Sequence, residues 1–178
     1  MGRIKTSLSR CSIWGEYILI FVCVGSREYQ FNRLLKKIDE LIEQKIIVDD
    51  VFAQIGQSTY LPKYYRYKRF LSSEEFKGKQ KEADLIISHA GTGALMSALK
   101  LEKKVIAVPR LEKFGEHTDD HQIQIASVLE ESNYLKSVTN LDQLNKMISI
   151  LDKKNSIRKY EKSSEVVNII ERYLQSVW

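Results

Sequence analysis

The stretch "LIISHAGTGALMSALK", residues 85–100, decides the fold. A run of apolar residues meets a Ser-His pair, two glycines follow within three positions, and the remainder reads as a helix. The chain has only 8 glycines in 178 residues, so two at one strand-to-helix joint call for an explanation. At such a joint in a doubly wound sheet, free backbone N–H groups point out of a helix N-terminus, and glycines let an anion come close. Gly91 and Gly93 would give the room, and Thr92 a hydroxyl donor toward a phosphate. The alternative is that the glycines only relieve crowding between helix and strand. The spacing matches neither the dinucleotide fingerprint nor the nucleoside-triphosphate loop, and no Lys follows to hold β- and γ-phosphates, which argues against a kinase or ATPase.

Working outward, strands and helices alternate. "YILIFVCVG" is a strand, and "FNRLLKKIDELIEQ" places Phe31, Leu34, Leu35, Ile38, Leu41 and Ile42 on one helical face. "VDDVFAQIG" and "YYRYKRF" read as the second and third strands. "LSSEEFKGKQKEA" opens a helix with Ser72 and Glu75 in capping-box spacing. After strand "DLIISH" and helix "GALMSALKLE" come strand "KVIAVP", a polar loop over 110–119, helix "DHQIQIASVLEE" and a short strand "YLKSV". This pattern predicts an α/β fold: a doubly wound, Rossmann-like, mostly parallel sheet with helices on both faces, its ligands beyond the carboxyl ends of the strands.

Two helical segments close the chain, "NLDQLNKMISILDK" and "SSEVVNIIERYLQSVW". In the last, Val166, Val167, Ile170, Tyr173 and Leu174 repeat at helical spacing, which suits packing on the domain itself or an interface with a second chain. A hydrophobic fraction of 43% supports one domain with a real core. We assign it to residues 17–178, with residues 1–16 as an extension outside the fold. Arg3, Lys5 and Arg10 before an apolar run imitate a signal peptide, but that run is short, β-branched and aromatic, and passes through Gly25 into a helix. No stretch approaches the roughly 20 apolar residues that cross a bilayer.

Cys11 and Cys23 do not form a disulfide framework, and they suit a reducing cytoplasm; Cys23, inside an apolar run, reads as a small buried thiol. The net charge of +5 is spread over solvated helix faces. The basic aromatic stretch "PKYYRYKRF" has the ingredients for single-stranded nucleic acid or an anionic membrane surface, yet its alternation is that of a strand, and no nucleic-acid partner is expected.

Two further joints reach the same end of the sheet. "VGSREYQF" brings Gly25 and Ser26, and Arg27 either pairs with a phosphate or is a surface arginine at a helix start. "EKFGEHTDDHQ" gathers Glu116, His117, Asp119, Asp120, His121 and Gln122. For this cluster a metal site lacks an obvious third ligand beside His117 and His121. A capped helix start and a sugar grip, in which carboxylates and an amide bind vicinal hydroxyls, are the other readings.

With those joints placed, the chain resembles the C-terminal, donor-binding domain of glycosyltransferase family 28, of the two-domain GT-B architecture, over residues 18–138. The motifs that carry it are "IFVCVGSREYQFNRL", "AQIGQSTYLP", "ADLIISHAGTGALMSALK" and "VIAVPRLEKFGEHTDDHQIQIA". Within the family it is most similar to catalytic subunits of split bacterial transferases of capsule and exopolysaccharide assembly, relatives of the eukaryotic subunit that adds GlcNAc to a dolichol-linked acceptor. The resemblance implies a UDP-sugar donor, a lipid-diphosphate-linked saccharide acceptor, and a membrane-anchored subunit that binds the acceptor. It implies a cytoplasmic location at the inner face of the membrane, no cofactor and no bound metal. Galactose is the first choice of sugar and glucose the second; a non-catalytic nucleotide-sugar-binding module is the alternative.

Carried over by position, Gly25, Ser26, Arg27, His89, Gly91, Thr92 and Gly93 would hold the diphosphate. The backbone at Phe70 and Leu71 would meet the uracil edge, and Asp120, His121 and Gln122 the donor sugar. Ser97 stands where many members carry a ribose-binding Glu. Glu116 or His117 would serve as general base, unless the partner subunit supplies it.

Overall fold

Burial on both faces explains the apolar composition of the central strands. A computed structural model describes residues 18–152. In it β1 (Leu19–Cys23) is buried at four of five positions and β4 (Leu85–Ser88) at all four. Parallel strands covered on both sides read as continuous Ile, Val and Leu runs rather than alternating ones. Around them stand β2 (Asp50–Gln54), β3 (Arg66–Lys68), β5 (Lys104–Ala107) and β6 (Lys136–Ser137), all parallel, in the order β3-β2-β1-β4-β5-β6. Val22 of β1 lies between Ala53 and Ile87, which sets the register of the three innermost strands.

Successive strand residues point to opposite faces, so the sheet builds two cores. Ile20, Val22, Leu85, Ile87 and Ile106 pack against α1 (Asn32–Glu43) and α5 (Leu144–Asp152). Phe21, Cys23, Ile86, Val105 and Ala107 pack against α2 (Ser73–Glu82), α3 (Thr92–Lys100) and α4 (His121–Glu131). The doubly wound arrangement expected from the alternation is therefore present. The Ser72–Glu75 capping box forms in both directions, with the Ser72 hydroxyl accepting from the Glu75 N–H and the Glu75 carboxylate from the Ser72 N–H.

Some boundaries differ from the sequence reading. The third strand keeps only three residues because the chain before it is diverted by Asp39, a carboxylate on the apolar side of α1. Asp39 is 3% exposed and accepts from the Tyr60 hydroxyl (2.7 Å), the Lys63 N–H (2.7 Å) and the Tyr64 N–H (3.0 Å). The same carboxylate, after burial, pushes the Tyr60 phenol up to about 12. The loop after β5 contains a 3-10 turn over Glu112–Phe114, and α5 is preceded by another over Leu141–Gln143. Cys11, the 1–16 extension and the apolar face of the last helical segment lie outside the described residues.

A buried acceptor of three donors is costly to remove, because two backbone N–H groups then lose their only partner. Asp39→Ala should destabilise the fold by about 3 kcal/mol, read as a lower urea midpoint with an unchanged slope. A midpoint within error of the parent would show that the 60–64 segment finds other partners.

Candidate functional site

The carboxyl ends of β1, β4 and β5 open into a cleft of about 700 Å³, lined among others by Gly25, Ser26, Arg27, His89, Gly91, Thr92, Gly93, Ser97, His121 and Gln122. The sequence thus predicted most of its wall. Ser26 and Arg27 are exposed on the β1 turn. Gly91 is the N-cap of α3 and makes no side-chain cap, so the first N–H groups of that helix are left to the cleft. With the N-terminal end of α3 on one side and that of α4 on another, the cleft favours negative charge.

The two glycines of the 89–93 turn are there for different reasons. A Cβ on Gly91 would lie 2.2 Å from His89 Nε2, so this position is glycine because the imidazole fills the space. A Cβ on Gly93 would meet nothing within 4 Å, so crowding within the chain does not explain Gly93. Just before them Ala90 holds a left-handed φ of 63° while fully buried, a strained residue at the turn that the sequence did not reveal.

His89 is fixed by two bonds to the Cys23 carbonyl, from its own N–H (3.1 Å) and from Nδ1 (3.2 Å). Because a carbonyl only accepts, Nδ1 carries the proton and the imidazole is neutral at its other nitrogen. Burial, then the nearby Arg110 charge, lower its pKa to about 4.

Arg110 is a residue of the cleft wall that sequence reasoning missed. It follows Pro109 at the end of β5, in a position that reads as polar loop, yet it is only 2% exposed and lines the cleft. Its guanidinium donates to the Val24 carbonyl and to the Tyr29 carbonyl (3.0 Å), while Nε is buried without a partner. Burial lowers its pKa to about 10, which leaves it charged at neutral pH. Its backbone N–H donates to Gln122 Oε1 at 3.0 Å, so the Gln122 amide is oriented with its NH2 free.

Several expected roles are corrected. Glu116 does not line the cleft. It is 1% exposed, and its carboxylate accepts from Arg33 Nε and Nη2 (both 2.9 Å) and from the Leu111 N–H (3.0 Å), which is a structural ion pair and no base. Asp120 also turns away, accepting from the Glu112 N–H at 2.9 Å and so pinning the 3-10 turn. Phe70 does not line the cleft and is 45% exposed; Leu71 lines it, but its N–H is donated to Gln54 Oε1 at 3.2 Å. Ser97 donates its hydroxyl proton to Gln80 Oε1 at 2.6 Å, which leaves it only as an acceptor toward a ribose hydroxyl.

A third ligand-type group does exist beside the two histidines. His117, Asp119 and His121 bring one ligand atom each within 4.8 Å of one another. Burial and the neighbouring His121 lower the His117 pKa, and the His121 backbone and ring lower that of Asp119, so both are in states that could bind a metal ion. The field opposes it. Arg27 and Arg110 face the same cluster, and the positive end of α4 begins at His121. Tyr29 instead packs its ring against His117, tilted by 35° with centroids 4.6 Å apart, and the two histidine rings meet edge to face at 4.7 Å.

A parallel sheet in the 3-2-1-4-5-6 order with an anion-favouring cleft past its carboxyl ends belongs to the doubly wound, Rossmann-like class. The family is more specific. The model of the glycosyltransferase family 28 C-terminal domain matches residues 19–174, and the chain belongs to that family. It is 29% identical over 124 residues to the UDP-N-acetylglucosamine transferase subunit ALG13 of Mus musculus, and 32% identical over 128 residues to that of Homo sapiens. Each match covers 65% of this chain and 10% of the relative, so the chain spans about a tenth of their length.

Among solved structures, MurG of Acinetobacter baumannii superposes with a TM-score of 0.59 at 16% identity, covering 90% of this chain and 50% of that one. An NMR structure of ALG13 gives 0.55 at 21% identity over 89% and 95% of the two chains. These likenesses carry the fold, and the family and fold expected from the sequence are both borne out. No helix among the described residues is long and apolar enough to cross a membrane.

Two measurements check this geometry. As pH falls through about 6.5, the unfolded imidazole of His89 gains a proton that the folded one refuses until about pH 4, so folding stability falls with pH across that window. Comparison with His89→Gln should show a pH slope shallower by about 1.4 kcal/mol per unit there. Equal slopes would mean that His89 titrates normally. Separately, Arg33→Ala strands a buried carboxylate and should cost about 3 kcal/mol in chemical denaturation; an unchanged midpoint would return Glu116 to the candidates for general base.

Proposed function

We propose that this chain is the donor-binding, catalytic half of a two-component inverting glycosyltransferase that uses a UDP-sugar. The observation that carries it is the cleft itself: glycine-lined turns, the uncapped N-terminus of α3, and the buried cation Arg110 converge at one end of a family 28 sheet. In this reading Ser26, Arg27 and the 91–93 turn cradle the diphosphate. The His89 ring holds the glycine turns in place beneath it, Leu71 and Ser97 border the nucleoside, and His121 and Gln122 border the sugar.

The reaction is a direct displacement. An acceptor hydroxyl oxygen attacks the anomeric carbon, the bond from that carbon to the UDP oxygen breaks, and UDP leaves with the added negative charge. Preorganised N–H groups and Arg110 offset that charge as it grows, in a site that need not reorganise to do so. The acceptor's proton goes to a general base, which is His117 or a group of the partner subunit. The acceptor is a lipid-diphosphate-linked saccharide presented by a membrane-anchored partner, on the capsule or exopolysaccharide side of the family. That places the chain at the cytoplasmic membrane face. UDP-galactose first and UDP-glucose second are the donors that the family resemblance implies, and UDP-GlcNAc joins them because the curated relatives are named UDP-N-acetylglucosamine transferase subunits.

Ligand-observed NMR on the purified chain with UDP, the three UDP-sugars and ADP tests the reading. Selective contact with the uridine ligands, lost in Gly91→Asp, is the expected result, since a carboxylate there meets both His89 and the diphosphate. Equal binding of ADP, or binding unaffected by Gly91→Asp, would reject the donor site.

A further inference from the structure

Hydrogen-bond accounting at the start of α4 assigns more than a general sugar contact. Asp119 Oδ1 accepts from the His121 N–H at 3.0 Å and also touches His121 Nδ1. A carboxylate can only accept, so the proton of a neutral His121 ring must sit on Nδ1, and Nε2 is left as a lone pair. No described residue bonds to Nε2, and the His121 side chain, 43% exposed, borders the cleft. Gln122, next in sequence, is constrained the other way: its Oε1 is held by the Arg110 N–H and the residue is 4% exposed, so its NH2 can only donate.

We propose that Asp119 is a positioning residue that locks His121 as the Nδ1–H tautomer, so that the sugar end of the cleft reads two hydroxyls of opposite roles. One must donate to His121 Nε2, and the other must accept from Gln122 Nε2. This rests on the nucleotide-sugar reading and adds a chemical rule to it: the donor needs a hydroxyl proton at the His121 position, whereas at the Gln122 position an acceptor atom suffices. Neighbouring hydroxyls of one hexose meet both demands, since each can donate or accept.

The tautomer is directly observable. On the chain labelled with 15N histidine at about pH 8, above the ordinary imidazole value of about 6.5, long-range 1H–15N correlation should show His121 protonated on Nδ1. In Asp119→Ala the signal should move toward the Nε2–H form that free imidazole side chains favour, with the amide spectrum otherwise preserved. Asp119→Glu should recover part of the parent pattern. The binding arm compares UDP with a UDP-hexose: Asp119→Ala should weaken the UDP-hexose about tenfold, the loss of roughly one hydrogen bond, and leave UDP within about twofold.

Among monofluorinated UDP-hexoses, one whose fluorine replaces the donating hydroxyl should bind as weakly to the parent as the normal donor does to Asp119→Ala. An Nε2–H tautomer in the parent would overturn the proposal. So would equal loss of UDP and UDP-hexose, or one equivalent of Zn2+ bound with loss of the Nδ1 proton, because Asp119 would then serve a metal. If the parent bound no UDP, the nucleotide-sugar reading would fall, while the tautomer measurement would still decide the role of Asp119.

Discussion

The imidazole of His89 packs against two backbone turns at once, and the rest of the cleft depends on that contact. A Cβ on Gly25 would come within 2.8 Å of the ring, one on Gly91 within 2.2 Å, and one on Gly56 within 2.6 Å of the Gly25 carbonyl. Three loops from three different strands are thus stacked through atoms that tolerate no side chain. Gly25 and Gly56 also have φ of 85° and 53°, so an L side chain at either would be strained regardless of space. Gln54 ties the same stack to Leu71, giving its amide NH2 to the Gly25 carbonyl at 3.4 Å and its oxygen to the Leu71 N–H. The loops around the cleft are therefore held by the His89 and Gln54 side chains against glycine backbone that leaves no room for a Cβ.

Beneath that stack lies a charge balance unusual for a core. Arg110 is buried with two carbonyls as partners of its Nη2 and its Nε–H without a partner, while the Arg33–Glu116 pair a few residues away is satisfied. Under the proposed function the first stores positive potential, since a buried cation bonded only to carbonyls is costly unless an anion joins it in the working state. The second makes sense as scaffolding, because it closes the 111–116 loop onto α1. Two ion-bearing residues near in sequence thus have opposite purposes, and burial alone does not distinguish them.

The sequence was most informative where periodicity and backbone demand coincide. Strand and helix alternation predicted the sheet and both helical layers, and the glycines of the 24–27 and 89–93 turns marked the cleft. It was least informative where a side chain's role depends on which way a loop folds. Nothing local distinguishes Glu116 from Asp119, both acidic within two residues of a histidine, yet one is drawn inward by Arg33, 83 positions away, and the other stays exposed. Asp119 was visible as a possible cap, but its hold on the His121 ring was not. Arg110 was hidden by its setting in a polar stretch, and a signal for it exists only in hindsight: a lone arginine directly after the Pro that ends a buried strand.

The outer strands carry a consequence of a different kind. At one border of the sheet β3 has three residues, with Arg66 and Lys68 exposed and engaged by Asp50 and Glu75; at the other β6 has two. Short borders flanked by charge are poor templates for a neighbouring strand. A sheet with a hydrophobic centre and such guarded flanks resists growing sideways into aggregates, whatever concentration the chain reaches.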